Sequence, residues 1–165
     1  MRPILLLLAC LTLISGAVLA DTVLAVSPSD SVGKAPHYDA GAVARIHGGI
    51  VDCVGCNLQG ADLSNTCVKE HDLSGANFDG ANATLMCMSF ANFTNVTFRG
   101  TELSGANLAG ARMDGADLTG AKTSITSFLG TDLSHVKGLT QTQLDVACSD
   151  KNTKLPAGLK IHICS

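Results

Sequence analysis

The sequence predicts an all-β solenoid, and three observations carry that expectation. From residue 58 to residue 133 every fifth position is bulky and apolar, with only Ala83 and Thr123 as exceptions. Two residues before each of these sits Ala, Thr, Cys or Val, from Cys56 to Thr131, and only His71 and Met86 depart. The positions that close the units, 60 through 135, are Gly in nine of 16 cases, the residue that tolerates the φ values of a tight corner. A period of five fits neither a helix, whose apolar face recurs every 3.6 residues, nor a strand, whose period is two. It fits a chain that turns a corner in every unit and sends the small and the bulky residue inward. Four corners close a square coil, and stacked coils pair backbone to backbone at about 4.8 Å.

Units such as Ala61-Asp62-Leu63-Ser64 and Ala116-Asp117-Leu118-Thr119-Gly120 resemble the A(D/N)LXX motif of the pentapeptide-repeat family. The resemblance covers about half the chain, residues 56–135, without loss of phase. It implies a right-handed quadrilateral β-helix with four units per coil, hence about four coils in this stretch. The pattern is weakest at 83–96, where Ala83, Leu85, Met86, Phe90 and Val96 depart from it. A bulge or an exposed apolar spot is expected there.

The remaining elements follow in chain order. Residues 1–20 read as a signal peptide: Arg2 supplies the positive end, Ile4 to Ile14 the apolar run, and Val18-Leu19-Ala20 a cleavage site ahead of Asp21. The run is too short for a membrane span. A rival reading takes Leu7-Leu8-Ala9-Cys10 as a lipoprotein box, which leaves a cramped apolar stretch. Residues 21–38, with two prolines, form an expected flexible leader. Asp39 is placed to cap a helix over Ala40 to His47 that buries Val43 and Ile46 and stops at Gly48-Gly49, giving an N-terminal cap over 39–52. The solenoid proper is expected over 53–137. A C-terminal cap over 138–165 begins with Thr140 and Gln143 as a capping box and Leu139 and Leu144 as a hydrophobic staple, its helix running to about Cys148. Such caps cover the sticky open ends of a solenoid.

Six cysteines follow the signal, an even number in an exported chain, so disulfides are the default. With four units per coil, Cys67 and Cys87 stack in the same outward column. Cys148 and Cys164 flank the tail loop, and Cys53 and Cys56 remain as a third pair. The Cys53-Val54-Gly55-Cys56 run is also the residue pattern of a redox or zinc site, with His47 and His71 as the further ligands zinc would require. His71 occupies an inward column, either as a buried ligand or base or, on the simpler reading, with its ring turned to solvent. Asp and Asn at 57, 62, 72, 77, 82, 92, 107, 117 and 132 recur too regularly for paired catalytic acids or calcium ligands. They are expected to hydrogen-bond the corners. Asn82, Asn92 and Asn95 each begin an Asn-x-Thr sequon.

The formal net charge is −3, and loss of Arg2 with the signal leaves 10 basic and 14 acidic residues, or −4. That is no basic footprint, and no nucleic-acid partner is expected. Aromatic residues make up 4% with no Trp, so no large aromatic-lined pocket is expected. No Ser-His-Asp spacing, phosphate loop or dinucleotide fingerprint is present, and neither an enzyme nor a cofactor is expected. The expectation is an exported, periplasmic or secreted solenoid that binds an unknown protein or serves as a structural module. The alternative, which the resemblance supplies, is a DNA-mimicking inhibitor or protector of a topoisomerase. The third is chemistry at Cys53 and Cys56.

Overall fold

A computed structural model describes residues 37–49, 51–160 and 162–164. The chain divides into two units, Met1–Gly33 and Lys34–Ser165, and every described residue lies in the second. The expected signal with Cys10, Ala20 and Asp21, and the leader as far as residue 36, lie outside the described residues.

The solenoid is built from isolated parallel bridges, not from long strands. Each joins a unit to the fourth unit after it, from Asn57↔Asn77 to Asp117↔Lys137. Because each unit supplies one bridge, four ladders run along the stack. The first passes through 57, 77, 97, 117 and 137, the second through 62, 82, 102 and 122, the third through 67, 87, 107 and 127, and the fourth through 72, 92, 112 and 132. Leu58 donates its N–H to Asn77 at 2.8 Å and Asn77 donates to Cys56 at 2.8 Å, a pattern repeated up the stack. A first unit precedes the expected boundary at 53. Val51 and Cys53 are buried, and Cys53 donates to the Asp72 carbonyl at 2.8 Å.

The two inward columns make the core. The bulky column is buried throughout, and Phe78, Phe93 and Phe98 pack with ring centroids 5.0–6.0 Å apart. Thr in the small column is satisfied from within: Thr101, Thr126 and Thr131 donate their hydroxyls to the carbonyls of Phe78, Leu103 and Leu108 at 2.7–2.8 Å. A hydroxyl can therefore replace a methyl there without stranding a polar atom. The stretch 83–96 forms no bulge, since the ladders pass through Asn82, Cys87 and Asn92 unbroken. Met86 and Val96 fit the small column, fully buried, while Leu85 and Phe90 are 60% exposed.

Two helices close the ends. α1, Ala40–His47, starts on Asp39, whose carboxylate accepts from Ala42 N–H at 3.0 Å, and ends at Gly48. Its buried residues are Ala42 and Ile46, one turn apart, and Val43 is only half-buried. α2, Gln141–Asp145, carries the capping box of Thr140 and Gln143. It stops short of the expected end at Cys148, because the ladders reclaim the chain. Ile125 donates to Val146 at 2.7 Å, and Cys148 both accepts from Phe128 and donates to Thr126 at 2.7 Å.

Gln143 does more than cap its own helix. Its Nε2 donates to the carbonyls of Leu118 and Ala121 at 2.9 and 2.8 Å, filling acceptors that the next coil would otherwise satisfy. Gln143→Leu leaves the Ala121 carbonyl without a partner, while the Leu118 carbonyl keeps only the Ala121 N–H at 3.0 Å, and should cost about 2 kcal/mol. Gln141→Ala, at a half-buried neighbour, should cost clearly less, and chemical denaturation of the two variants against the parent checks the order.

Candidate interaction surface

The nine Asp and Asn residues share one local device. Each accepts from the N–H two residues on, as Asp62 does from Ser64 at 3.1 Å, Asp72 from Ser74 at 2.9 Å, Asn107 from Ala109 at 3.0 Å and Asp117 from Thr119 at 2.9 Å. The same pattern holds at 57, 77, 82, 92 and 132. Stacked members also bond to one another, Asn82 to Asp62 and Asn92 to Asp72, both at 3.0 Å. The hydroxyls of Ser64 and Thr119 hold the Asp62 and Asp117 carboxyls low, and the Ser74 N–H does the same for Asp72. These carboxylates are therefore corner supports, already committed to backbone donors.

The residues weighed for metal or redox chemistry do not converge. Cys53 and Cys56 are bonded to each other, with Cα atoms 5.3 Å apart. His47 pairs with the Asp62 carbonyl at 3.0 Å, and His71 turns its ring to Asp52 at 3.1 Å with its side chain 41% exposed. Among the described residues no group of three His, Cys, Asp or Glu side chains is arranged to hold a metal ion. Cys148 and Cys164 are bonded and close the tail, which Gln141 pins through Lys160 at 2.9 and 3.2 Å.

Cys67 and Cys87 depart from the expected bridge. They do stack, as a parallel pair on the third ladder, but both thiols are free. The reason lies in the direction of the side chains. In-register parallel residues point their Cβ atoms the same way, so the Cβ atoms stay about 4.8 Å apart, whereas a disulfide draws them to about 3.8 Å. Burial pushes the Cys87 thiol above its ordinary pKa.

An apolar surface gathers around this same ladder. Seven large hydrophobic side chains are exposed among the described residues: Val54, Leu85, Phe90, Ile125, Leu129, Val146 and Ile163. All but Val54 flank the third ladder. Leu85, Gly105, Ile125 and Val146 succeed one another along the corner before it, and Phe90 and Gly110 along the corner after it. Ile163 arrives by pairing with Ser149, beyond the point where Ser127 pairs with Cys148. Residues 85–90, 105–110, 125–130 and 146–149 contain no Asp, Glu, Lys, Arg or His. The sequence carried a signal for this stripe, since apolar residues at 85, 90 and 125 stand where the unit calls for Gly. It emerges only when the chain is folded back on itself every fourth unit.

Two glycines shape the stripe. A Cβ on Gly110 would meet the Phe90 ring at 2.5 Å, and one on Gly105 would meet Leu85 Cδ2 at 2.7 Å. The exposed side chains thus lie flat over the glycines of the next coil. Beyond Gly110 lies a depression of about 480 Å³ lined by Arg112, Asp114, Asp132 and His135. Both of its carboxylates are engaged, Asp114 by the His135 ring at 2.8 Å and Asp132 by Lys154 at 2.9 Å.

The depressed carboxylates set the acid limb of stability. Their folded pKa values lie below those of the unfolded chain, so the unfolded chain binds more protons as pH falls. Stability should be level above about pH 5 and decline below about pH 4. Asp72→Asn and Asp117→Asn keep the accepting oxygen and should flatten that decline, as read by unfolding midpoints between about pH 2 and 7.

Comparison with known proteins agrees with this architecture. The family model described as pentapeptide repeats matches eight copies over residues 56–89 and 87–122. No curated protein matches the chain. Among solved structures, the pentapeptide repeat protein Rfr23 from the cyanobacterium Cyanothece 51142 is 28% identical, with a TM-score of 0.50 over 65% of this chain and 69% of that one. HetL from the cyanobacterium Nostoc sp. strain PCC 7120, a pentapeptide repeat protein involved in heterocyst differentiation regulation, is 24% identical. Its TM-score is 0.53 over 68% of this chain, which spans about half of HetL, 52%. QnrB1, a plasmid-mediated fluoroquinolone resistance protein, is 24% identical with a TM-score of 0.29 over 62% of this chain and 59% of that one. Residues 56–122 of the chain are thus pentapeptide repeats, and the bridges from each unit to the fourth after it carry the same architecture on to Lys137.

Proposed function

We propose that the chain is an exported, non-enzymatic solenoid of about four right-handed coils that binds a protein partner through the apolar stripe along its third ladder. The observation that carries this reading is the segregation of exposed side chains. Six of the seven large exposed hydrophobics among the described residues flank one ladder, and the segments 85–90, 105–110, 125–130 and 146–149 along it contain no charged residue. Scattered apolar residues are ordinary on a protein surface, whereas a contiguous uncharged set rimmed by polar residues marks a contact site. A solenoid presents such a set on a rigid backbone, so little ordering entropy opposes docking. Arg2, the apolar run Ile4 to Ile14 and the Ala20-Asp21 step support export.

Charge distribution disfavours the DNA-mimicking alternative. A mimic of duplex DNA needs an uninterrupted negative field. Here acids and bases alternate: Arg99 meets Asp117 at 2.7 Å, Lys122 meets Glu102 at 2.9 Å and Lys69 meets Glu70 at 3.2 Å. An excess of protein is expected to leave DNA supercoiling by a topoisomerase unchanged.

The binding test introduces charge into the stripe. Ile125→Asp and Leu129→Asp replace exposed side chains and should keep the unfolding midpoint of the parent. A partner captured by the parent chain from its host's envelope fraction should be lost by both variants. Retention by both, together with loss on charge reversal at Arg99 or Lys122, would move the contact to another ladder. Mass spectrometry of chain recovered from that fraction should find Asp21 at the N-terminus.

A further inference from the structure

We propose that Cys67 and Cys87 form a two-thiolate site for a soft, two-coordinate monovalent cation of the copper(I) class. The two residues are the only cysteines among the described residues outside a disulfide. They are held in register by the backbone itself: Val68 donates to the Cys87 carbonyl at 2.8 Å and Cys87 donates to the Thr66 carbonyl at 2.9 Å. Both side chains leave the outward side of the ladder, Cys67 exposed and Cys87 half-buried.

The spacing decides what the pair can hold. Parallel Cβ vectors on adjacent rungs keep the two sulfurs about 4.8 Å apart when the side chains take the same rotamer. A disulfide needs a much closer approach of the Cβ atoms, about 3.8 Å. Two metal–thiolate bonds of about 2.3 Å laid end to end span about 4.6 Å, which the undistorted ladder already provides. The donor set decides which metal. Zinc requires four ligands, and no third His, Cys, Asp or Glu among the described residues joins the pair. The thioethers flanking Cys87, Met86 and Met88, are fully buried on the opposite side of the rung. Coordination therefore stops at two soft sulfurs, the set that selects copper(I)-type ions.

Binding breaks two S–H bonds, forms two S–metal bonds and sends two protons to solvent. The oxidation state of the cation does not change, and the product carries one negative charge. Lys69, which faces outward on the same rung as Cys67, is the nearest cationic side chain in sequence and pairs with Glu70 at 3.2 Å. This assignment stands on the third ladder's geometry alone and does not depend on a protein partner.

Silver(I) is the probe, because it shares the linear thiolate preference without oxidising thiols. The full chain carrying Cys10→Ser is first shown by thiol titration and non-reducing peptide mapping to hold two free thiols, at Cys67 and Cys87. Titration in chloride-free buffer should then give one silver ion per chain, two protons released per ion and a near-ultraviolet thiolate-to-metal band. Cys67→Ser and Cys87→Ser should each weaken binding by more than about 100-fold. Both should keep the parent's unfolding midpoint, since Ser127 already occupies this column. Equal affinity and proton release in the Ser variants would overturn the site. A Cys67–Cys87 bridge found at isolation, or formed readily against a small-molecule disulfide, would also overturn it by showing that the ladder closes to disulfide spacing.

Discussion

The return of the backbone to the same place after every fourth unit is the constraint on which the rest of this structure depends. Each rung hydrogen-bonds to the rungs before and after it, and a coil one residue longer or shorter would put the wrong side of the chain against the core. Every unit must therefore make one bridge and one corner. The corner demands a left-handed residue, which Gly supplies at little cost. Leu85, Phe90 and Ile125 hold φ of 56–59° at equivalent corners, where a side chain costs roughly 1–2 kcal/mol. That these three persist in a unit built to accept Gly means the backbone ladder outweighs the local preference.

The same constraint explains how the solenoid ends. A last coil exposes carbonyls and N–H groups that no further rung can satisfy, the edge problem of any sheet. At the N-terminal end Asp39 N–H bonds to Asn57 at 2.7 Å, and α1 lays Ala42 and Ile46 over the first coil. At the other end the spacing drifts: Ser127 pairs with Cys148 and Asp132 with Lys154, both later in the chain than the register of the preceding coils would place them. The extra length is the room into which α2 fits, and Gln143 reaches back to occupy the exposed carbonyls. No buried side-chain N or O among the described residues lacks a partner, so closure is achieved by polar matching as well as by apolar cover.

Most of this was legible in the sequence because periodicity is a property of sequence. The columns, the corner role of the Asp and Asn residues and the capping box at Thr140 and Gln143 all follow from residue type at a fixed offset. What could not be read depends on contacts between distant rungs. The end of α2 is set by Ile125, Thr126 and Phe128, which compete for the backbone of 146–148. The free state of Cys67 and Cys87 is set by the direction of their Cβ atoms, which a one-dimensional spacing does not contain. Val43 looked as apolar as Ile46, but Ala42 lies one turn before Ile46, and the close packing of α1 on the first coil favours the smaller side chain there.

In a repeat protein the positions the fold uses in every unit cannot also encode a function particular to one site. The inward columns are committed to the core, and the outward Asp and Asn column is committed to the corners. Information specific to this chain must then reside where the pattern is broken without damage to the ladder. The apolar and thiol breaks, Val54 apart, fall together. Cys67 and Cys87 stand in the column otherwise rich in Asp and Asn, Leu85, Phe90 and Ile125 stand at corners otherwise rich in Gly, and Leu129 follows on the same rung as Ser127. All lie along one ladder of the four, while the second and fourth keep their polar pattern apart from the corner residues they share with the third. Six departures distributed at random over four ladders would not be expected to share one, and a shared ladder is what a single contact surface requires. The fold therefore acts as a ruled frame, in which the unbroken rows specify architecture and the one broken row is free to carry the proposed contact.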